Sequence, residues 1–441
     1  MTSLSERQLA AARDLAADVA EALRADATLE LWTGERIPLG PGAREDIRIV
    51  LHGPGVLRRL FRAPSLVTLA ELLASGAVTI EGGSPLALAD RWDHGRAVHL
   101  RRRLPPARLA WAALPFLLDR NAPMAPLPAF EGRIGTRPGA GRDDQALISF
   151  HYDVSNAFFA LFLDTEMVYS SAYYQSPDES LETAQARKLD LICRKLRLSP
   201  GERLLDIGCG WGALAAHAAR HFGVRVHGVT LSREQLAYGQ DKIARLGLQD
   251  RVSLELRDYR TLDEPESYDK IAQVEMFEHV GFENFDTHFE HMHRLLRPRG
   301  LYFHQATVRR GGRDIRAFRK PTGAMKTITR FIFPGGELDY IGNTITNLGR
   351  LGFEVLDTEC LREHMTLTLR EWERRLWANR AAARAEAGEA RTLLWLLYFA
   401  IFAKGFERGA CSSYQTLAIK RAPGATGLPL DRASLYWPDP A

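Results

Sequence analysis

Cysteine is scarce in this chain, and the little there is does not cluster. The four cysteines among 441 residues, Cys193, Cys209, Cys360 and Cys411, lie far apart with no Cys-x-x-Cys. That spacing excludes a disulfide scaffold and a cysteine zinc site, and predicts a reducing, cytoplasmic setting. Long apolar runs are also lacking. The longest, Leu393 to Ala403, falls well short of the roughly 20 residues that span a bilayer and reads as a buried helix. The opening residues lack a charged-then-apolar signal pattern, so no leader is expected. No Gly-Lys-Ser or Gly-Lys-Thr loop and no Gly-x-Ser-x-Gly elbow occurs, against a P-loop nucleotidase or a serine hydrolase. His288, His291 and His293 come nearest to a metal cluster, but their offsets of three and five do not share one helical face. No metal is expected.

Charge of one sign is nearly balanced overall, at +4, yet unevenly placed. Six arginines face one acid between Arg91 and Arg108, and eight cationic residues face one acid between Arg309 and Arg330. Such runs are solvated faces or attract anionic lipid headgroups. The apolar content, 46%, supports a full core.

The most informative stretch is Leu204-Leu205-Asp206-Ile207-Gly208-Cys209-Gly210-Trp211-Gly212. A strand (Arg203 to Ile207) runs through three alternate glycines into an Ala-rich helix, which lets backbone N–H groups face a ligand. A dinucleotide would call for Gly-x-Gly-x-x-Gly and an acid after the second strand. Here the spacing is Gly-x-Gly-x-Gly, and the second strand, Val224–Val229, ends in Thr230-Leu231-Ser232 with no acid. S-adenosylmethionine, which has no pyrophosphate to cradle, is the ligand that remains.

Residues 1–120 mix a helix (Leu4 to Leu23) with short strands and read as an α+β accessory domain. Residues 121–148 carry the prolines and glycines of a linker. From 149 to 422 strands and helices alternate, followed by a tail at 423–441. Strands are expected at Val252–Leu256, Lys270–Glu275, Leu301–Val308, Phe353–Thr358 and Tyr414–Ile419, with helices Ser180–Leu196, Arg233–Leu246 and Asn284–Leu296. This alternation implies a mostly parallel sheet covered on both faces, with ligands at the carboxyl ends of its strands. Glu275, Glu278 and His279 fall at the end of the fourth strand, beside the glycine loop, where acid–base chemistry is expected. Asp258-Tyr259, after the third, sits where an adenine ring would lie.

These residues, with His151-Tyr152-Asp153, Tyr169-Ser170-Ser171-Ala172-Tyr173, Gly228 to Gln235, Met276 to Gly281 and Phe331 to Gly336, resemble the cyclopropane-fatty-acyl-phospholipid synthase family. The resemblance implies a Rossmann-like class I methyltransferase with a mostly parallel seven-stranded sheet and a smaller N-terminal α+β domain. It implies transfer of a methyl or methylene carbon from S-adenosylmethionine to a cis double bond of a phospholipid acyl chain. The implied cofactor residues are Tyr169, Ser170, Asp206, Gly208, Gly210, Trp211, Gly212, Thr230, Leu231, Ser232, Gln235, Asp258, Tyr259 and Glu275; the implied catalytic ones are Glu278, Gln305, Tyr169 and Ser171. Phe158, Tyr169 and Tyr173 could steady a cation on the acyl chain. In the family a bicarbonate held partly by the residue matching Glu278 is the base. This chain departs there: the family's histidine is Gln305, with His304 on the opposite face of a strand, its tyrosine is Met365 and its cysteine is Ser171. Those departures weaken the case for bicarbonate and leave the product open between a cyclopropane and a methyl-branched chain. The implied partners are a membrane surface, met peripherally from the cytoplasm, and unsaturated acyl chains, with no nucleic acid and with a homodimer left open. A small-molecule amine methyltransferase and a non-catalytic lipid- or cofactor-binding protein are the alternatives.

Overall fold

The computed structural model describes residues 3–98, 100–117, 147, 150, 151, 154–312 and 314–436. The expected linker (Leu147 apart), Tyr152, Asp153 and the end of the tail lie outside the described residues.

The chain divides into two compact units, Met1–Ala129 with Pro321–Ile332 and Leu376–Ile401, and the remainder. The first opens on helix α1 (Leu4–Leu23), started by a capping box in which Ser3 and Glu6 satisfy each other's backbone N–H. Strands β1 (Thr28–Glu30), β2 (Arg36–Pro38), β3 (Arg48–Leu51) and β4 (Val78–Glu81) form a sheet ordered β2-β1-β3-β4. Helix α2 (Pro106–Leu117) closes this core by burying Phe116 against Leu31, Leu57 and Leu72. Two segments from far along the chain join it: Arg330 pairs with the buried Glu71, and Leu397 packs on the same apolar cluster.

In the second unit, helix α3 (Leu181–Lys195) precedes β5 (Arg203–Ile207), α4 (Ala213–Phe222), β6 (Arg225–Thr230), α5 (Arg233–Arg245), β7 (Val252–Leu256), β8 (Tyr268–Val274), α6 (Phe285–Leu295), β9 (Leu296–Arg309), β10 (Phe353–Cys360) and β11 (Cys411–Lys420). The seven strands are ordered β10-β11-β9-β8-β5-β6-β7, with β11 alone reversed. From β5 the chain steps outward through β6 and β7, then returns to β8 on the other side. The strand ends of β5 and β8 therefore diverge at a switch point, where a crevice opens. Alternation along β5 feeds two cores: Leu204 packs under α4 with Ala215 and Ala218, and Leu205 packs on the other face with Phe289 and Met292 of α6.

The expected elements recur with small differences at their ends. Ser180 is a helix cap rather than a helical residue, its side chain accepting the backbone N–H of Thr183; the helix expected from Arg233 does start there, capped by Ser232, which accepts from Gln235 N. Strand β8 stops at Val274 because Glu275 turns into the left-handed region (φ 49°), a conformation that costs a non-glycine residue roughly 1–2 kcal/mol.

Gly228 on β6 illustrates how tightly the sheet is covered. A Cβ there would lie 2.6 Å from Leu254 Cδ2 and 3.0 Å from Cys209 Cβ. Gly228→Val is therefore expected to destabilise the protein by about 1–3 kcal/mol, read as a lower urea midpoint; an unchanged midpoint would contradict this packing.

Candidate active site

The glycine loop leaves β5 with Gly208, Gly210 and Gly212 all at positive φ (74°, 53° and 80°). A Cβ on Gly208 would press Met276 at 3.0 Å, whereas one on Gly210 would meet nothing within 4 Å. That open space is a cavity bounded by the ends of β5, β6 and β8, by the start of α4 and by Lys188, Leu189 and Ile192 of α3. Tyr169, Ser170, Asp206, Gly208, Gly210, Trp211, Thr230, Leu231, Gln235, Asp258, Tyr259 and Glu275 line it. Gly212 and Ser232 do not: the first starts α4 and the second caps α5.

Several lining side chains are held by their neighbours. Trp211 Nε1 donates to Asn156 Oδ1 at 2.6 Å, and Thr230 Oγ1 donates to Gln235 Oε1 at 3.0 Å. Asp258 accepts from the Arg260 backbone and guanidinium, and the Tyr259 hydroxyl meets His288 Nδ1 at 2.9 Å. His288 also reaches Gln273 and Tyr302, while His291 bonds the Tyr259 carbonyl and His293 packs on Phe353. The three histidines thus serve three different structural contacts.

Two carboxylates and one lysine form the floor. Lys188 lies on the buried stripe of α3 with Ala184 and Ile192, and its Nζ donates to Ser170 Oγ at 2.8 Å. Burial lowers its pKa to about 8, opposed by the carboxylates of Glu275, Asp164 and Asp206. Asp206 is raised to about 7 by burial, opposed by Lys188, and its Oδ2 has no hydrogen-bond partner among the described residues. Glu275 is better supplied. Its Oε1 accepts from Gln305 Nε2 at 2.9 Å and Ser413 Oγ at 3.0 Å, and its carboxylate from Ser171 N at 3.3 Å. Burial still raises its pKa.

Glu278 stands behind this wall rather than on it. Its Oε1 accepts from Thr307 N at 2.6 Å, but its buried Oε2 has no partner among the described residues. Burial, then the charge of Glu275, pushes its pKa up to about 8. The segment carrying Phe333 to Gly336 closes over it, with Glu337 N donating to the Glu278 carbonyl at 2.9 Å.

Of the three aromatics expected around a cation, only Tyr169 borders the cavity; it packs against His151, Phe159, Phe162 and Trp372. His151 in turn stacks on Phe333 at 3.8 Å. Phe158 is fully buried among Phe159 and Phe162. Tyr173 stacks on His364 and donates its hydroxyl to Glu359 at 2.8 Å. Both are corrections: Phe158 lies on a short helix, Asn156–Ala160, whose packing buries it, and Tyr173 is drawn to Glu359 on β10. His304 does face away from Gln305, into the α6 layer beside Phe277 and Phe289. Lys188 went unnoticed by residue type alone, although a lysine on the apolar stripe of α3 was a readable signal.

The model of the mycolic acid cyclopropane synthetase family matches residues 141–416. A Pseudomonas putida protein named "Probable fatty acid methyltransferase" is 36% identical over 92% of this chain and 95% of its own length. A Mycobacterium tuberculosis protein of the same description is 36% identical over 86% and 88%. Among solved structures, cyclopropane synthase MmaA2 of Mycobacterium tuberculosis is 31% identical at a TM-score of 0.59, covering 63% of this chain and 98% of that one. Mycolic acid cyclopropane synthase CmaA1, complexed with SAH and CTAB, is 33% identical at a TM-score of 0.59, covering 64% and 99%.

Gly210→Val would force a β-branched residue to positive φ and fill the open space of the cavity. The expected result is a loss of about a hundredfold or more in S-adenosylhomocysteine affinity by calorimetry. Unchanged affinity would place the ligand elsewhere.

Proposed function

The chain belongs to the mycolic acid cyclopropane synthetase family and is an S-adenosylmethionine-dependent methyltransferase, and from that premise we propose that it methylates the cis double bond of an unsaturated acyl chain in a phospholipid. The observation that carries this reading is Glu278, a buried carboxyl with one oxygen left over, set beside the cavity and near an aromatic cluster. An amine substrate brings its own proton to lose and needs no such enclosed acceptor; an alkene does.

The cavity suits the donor. It offers open space at Gly210, an orphan Asp206 oxygen and a second buried carboxylate in Glu275, as a sulfonium with an α-ammonium requires. Asp206, Glu275, Ser170 and Tyr169 would hold its amino-acid end, and Thr230, Leu231, Gln235, Asp258 and Tyr259 its nucleoside. When bound, S-adenosylmethionine supplies an electrophilic methyl group.

An alkene is a weak nucleophile, so the chain's contribution is alignment in a dry site. As the new carbon–carbon bond forms, the second alkene carbon is left cationic, and the Tyr169 ring face attracts that charge. The electron balance is restored when a proton leaves, and Glu278 Oε2, in the ionised form of the carboxyl, is the acceptor this geometry supports. A proton from the new methyl closes a ring; one from an allylic carbon leaves a methylene branch. Bicarbonate is poorly served here. Ser171 turns its hydroxyl to the Ala172 carbonyl, Gln305 engages Glu275 and Gln415 through its two amide ends, and Met365 is apolar. No step is routed through it, and a branched product is the reading we favour.

No helix among the described residues is long and apolar enough to cross a membrane. A peripheral role fits the surface of α2, where Trp111 is 76% exposed and Leu114 and Leu117 lie exposed beside it. In the second basic stretch, Arg319 is occupied with Glu283, leaving Arg316 and Lys320 exposed to meet anionic headgroups.

Glu278→Gln is expected to lower kcat by about 10²–10⁴-fold while changing cofactor affinity little, assayed as methyl label entering vesicle acyl chains. Equal losses in both would make the residue structural, and label in a soluble amine instead would sink the lipid reading. Arg316→Ala with Lys320→Ala should weaken binding to anionic vesicles most at low salt; binding that ignores salt would remove the membrane-surface role.

A further inference from the structure

A row of buried polar side chains crosses the sheet behind Glu275, and the mechanism above uses only its first member. Gln305 on β9 and Gln415 on β11 are directly paired across the antiparallel ladder, and Gln415 is paired in turn with Glu359 on β10. All three side chains therefore leave the sheet on one face. Lys195, at the end of α3, is 1% exposed and closes over the row.

The hydrogen bonds run in one direction. Lys195 Nζ donates to Gln415 Oε1 at 2.8 Å, Gln415 Nε2 donates to Gln305 Oε1 at 3.0 Å, and Gln305 Nε2 donates to Glu275 Oε1 at 2.9 Å. An amide can point either way with almost the same shape, so shape does not choose between the two orientations. An ammonium can only donate. With Lys195 present, Gln415 must offer it oxygen, which leaves its nitrogen for Gln305, and the same logic delivers the Gln305 nitrogen to Glu275. Lys195 is itself held by Glu359, whose Oε2 lies 2.5 Å away and whose Oε1 accepts from Tyr173.

We infer that Lys195 is a positioning residue, which through Gln415 sets the orientation of Gln305 and so keeps a donor rather than a carbonyl on the site carboxylate Glu275. A reversed pair of amides would bring the Gln305 oxygen against the Glu275 oxygens, where two acceptors repel. Glu275 would then be held in the wrong place or protonated, and would lose its attraction for a cationic ligand. This rests on the reading that Glu275 faces the bound donor.

The test uses the full-length protein and calorimetric titration with S-adenosylmethionine, without lipid. Gln415→Glu is nearly isosteric and still accepts from Lys195, but its carboxylate has no proton to pass to Gln305. It should weaken S-adenosylmethionine binding about tenfold or more, and in a separate turnover assay with lipid vesicles raise KM for the donor while kcat at saturation stays near wild type. Lys195→Met should match that loss, and Lys195→Arg, which keeps a donor, should recover most of it. Thermal melts identify variants that merely unfold. Wild-type affinity in Gln415→Glu, or equal losses in Lys195→Arg and Lys195→Met, would overturn the inference. A Glu275→Gln control with unchanged affinity would instead fault the placement of Glu275 beside the donor.

Discussion

Taking a carboxylate out of water costs several kcal/mol unless neighbours replace its hydration, and three carboxylates are enclosed at one end of this sheet. Asp206, Glu275 and Glu278 meet that requirement unequally. Glu275 draws on Ser171, Gln305 and Ser413, which lie ahead of β5, on β9 and on β11. Those stretches reach it together only when β8, β9 and β11 are in register. A slip of one residue on β9 would present His304 in place of Gln305. Strand register and the assembly of the site are consequently one constraint, and the polar row behind Glu275 adds to the specificity of the pairing.

The switch between β5 and β8 explains why the carboxylates meet the glycine loop. Val274 pairs with Gln305 while β5 ends at Ile207 beside Gln273, so the segments that follow the two strands emerge side by side. Glu275 then turns left-handed, which redirects a side chain that a continuing strand would have aimed out of one face of the sheet. Strained backbone at such a point is held by the contacts on both sides of it.

Much of this was legible in residue order because strand, glycine and helix signals are local. Arg203–Ile207 and Val252–Leu256 were placed to the residue, and the mostly parallel sheet followed from alternation. What residue order hides is contact at long separation. Nothing marks Lys195 and Gln415 as partners across 220 positions, and nothing marks Pro321–Ile332 as packing with the first unit. Side-chain direction in irregular segments is similarly hidden. Tyr169 and Tyr173 are close in sequence, yet one borders the cavity and the other pairs with Glu359. The glycine loop was readable because glycine's freedom is a property of the residue itself; the orientation of Gln305 was not, because it is set by a partner.

Charge around the cavity bears on turnover as well as binding. Asp206 and Glu275 line it with Lys188, and Glu278 stands just behind. In the proposed reaction a donor carrying a sulfonium would offset the charge of Glu275, which adds to burial in raising the pKa of Glu278, and the thioether left after transfer would no longer do so at sulfur. Attraction is therefore strongest before reaction and weaker after it, which favours release of the spent donor. Lys188 limits the imbalance from below: it lies under Ser170 and opposes the desolvation of Asp206 and Glu275. A wall of unpaired carboxylates would protonate and lose its pull, whereas one supported by a single buried ammonium can stay charged enough to grip a cation and still let a neutral product go.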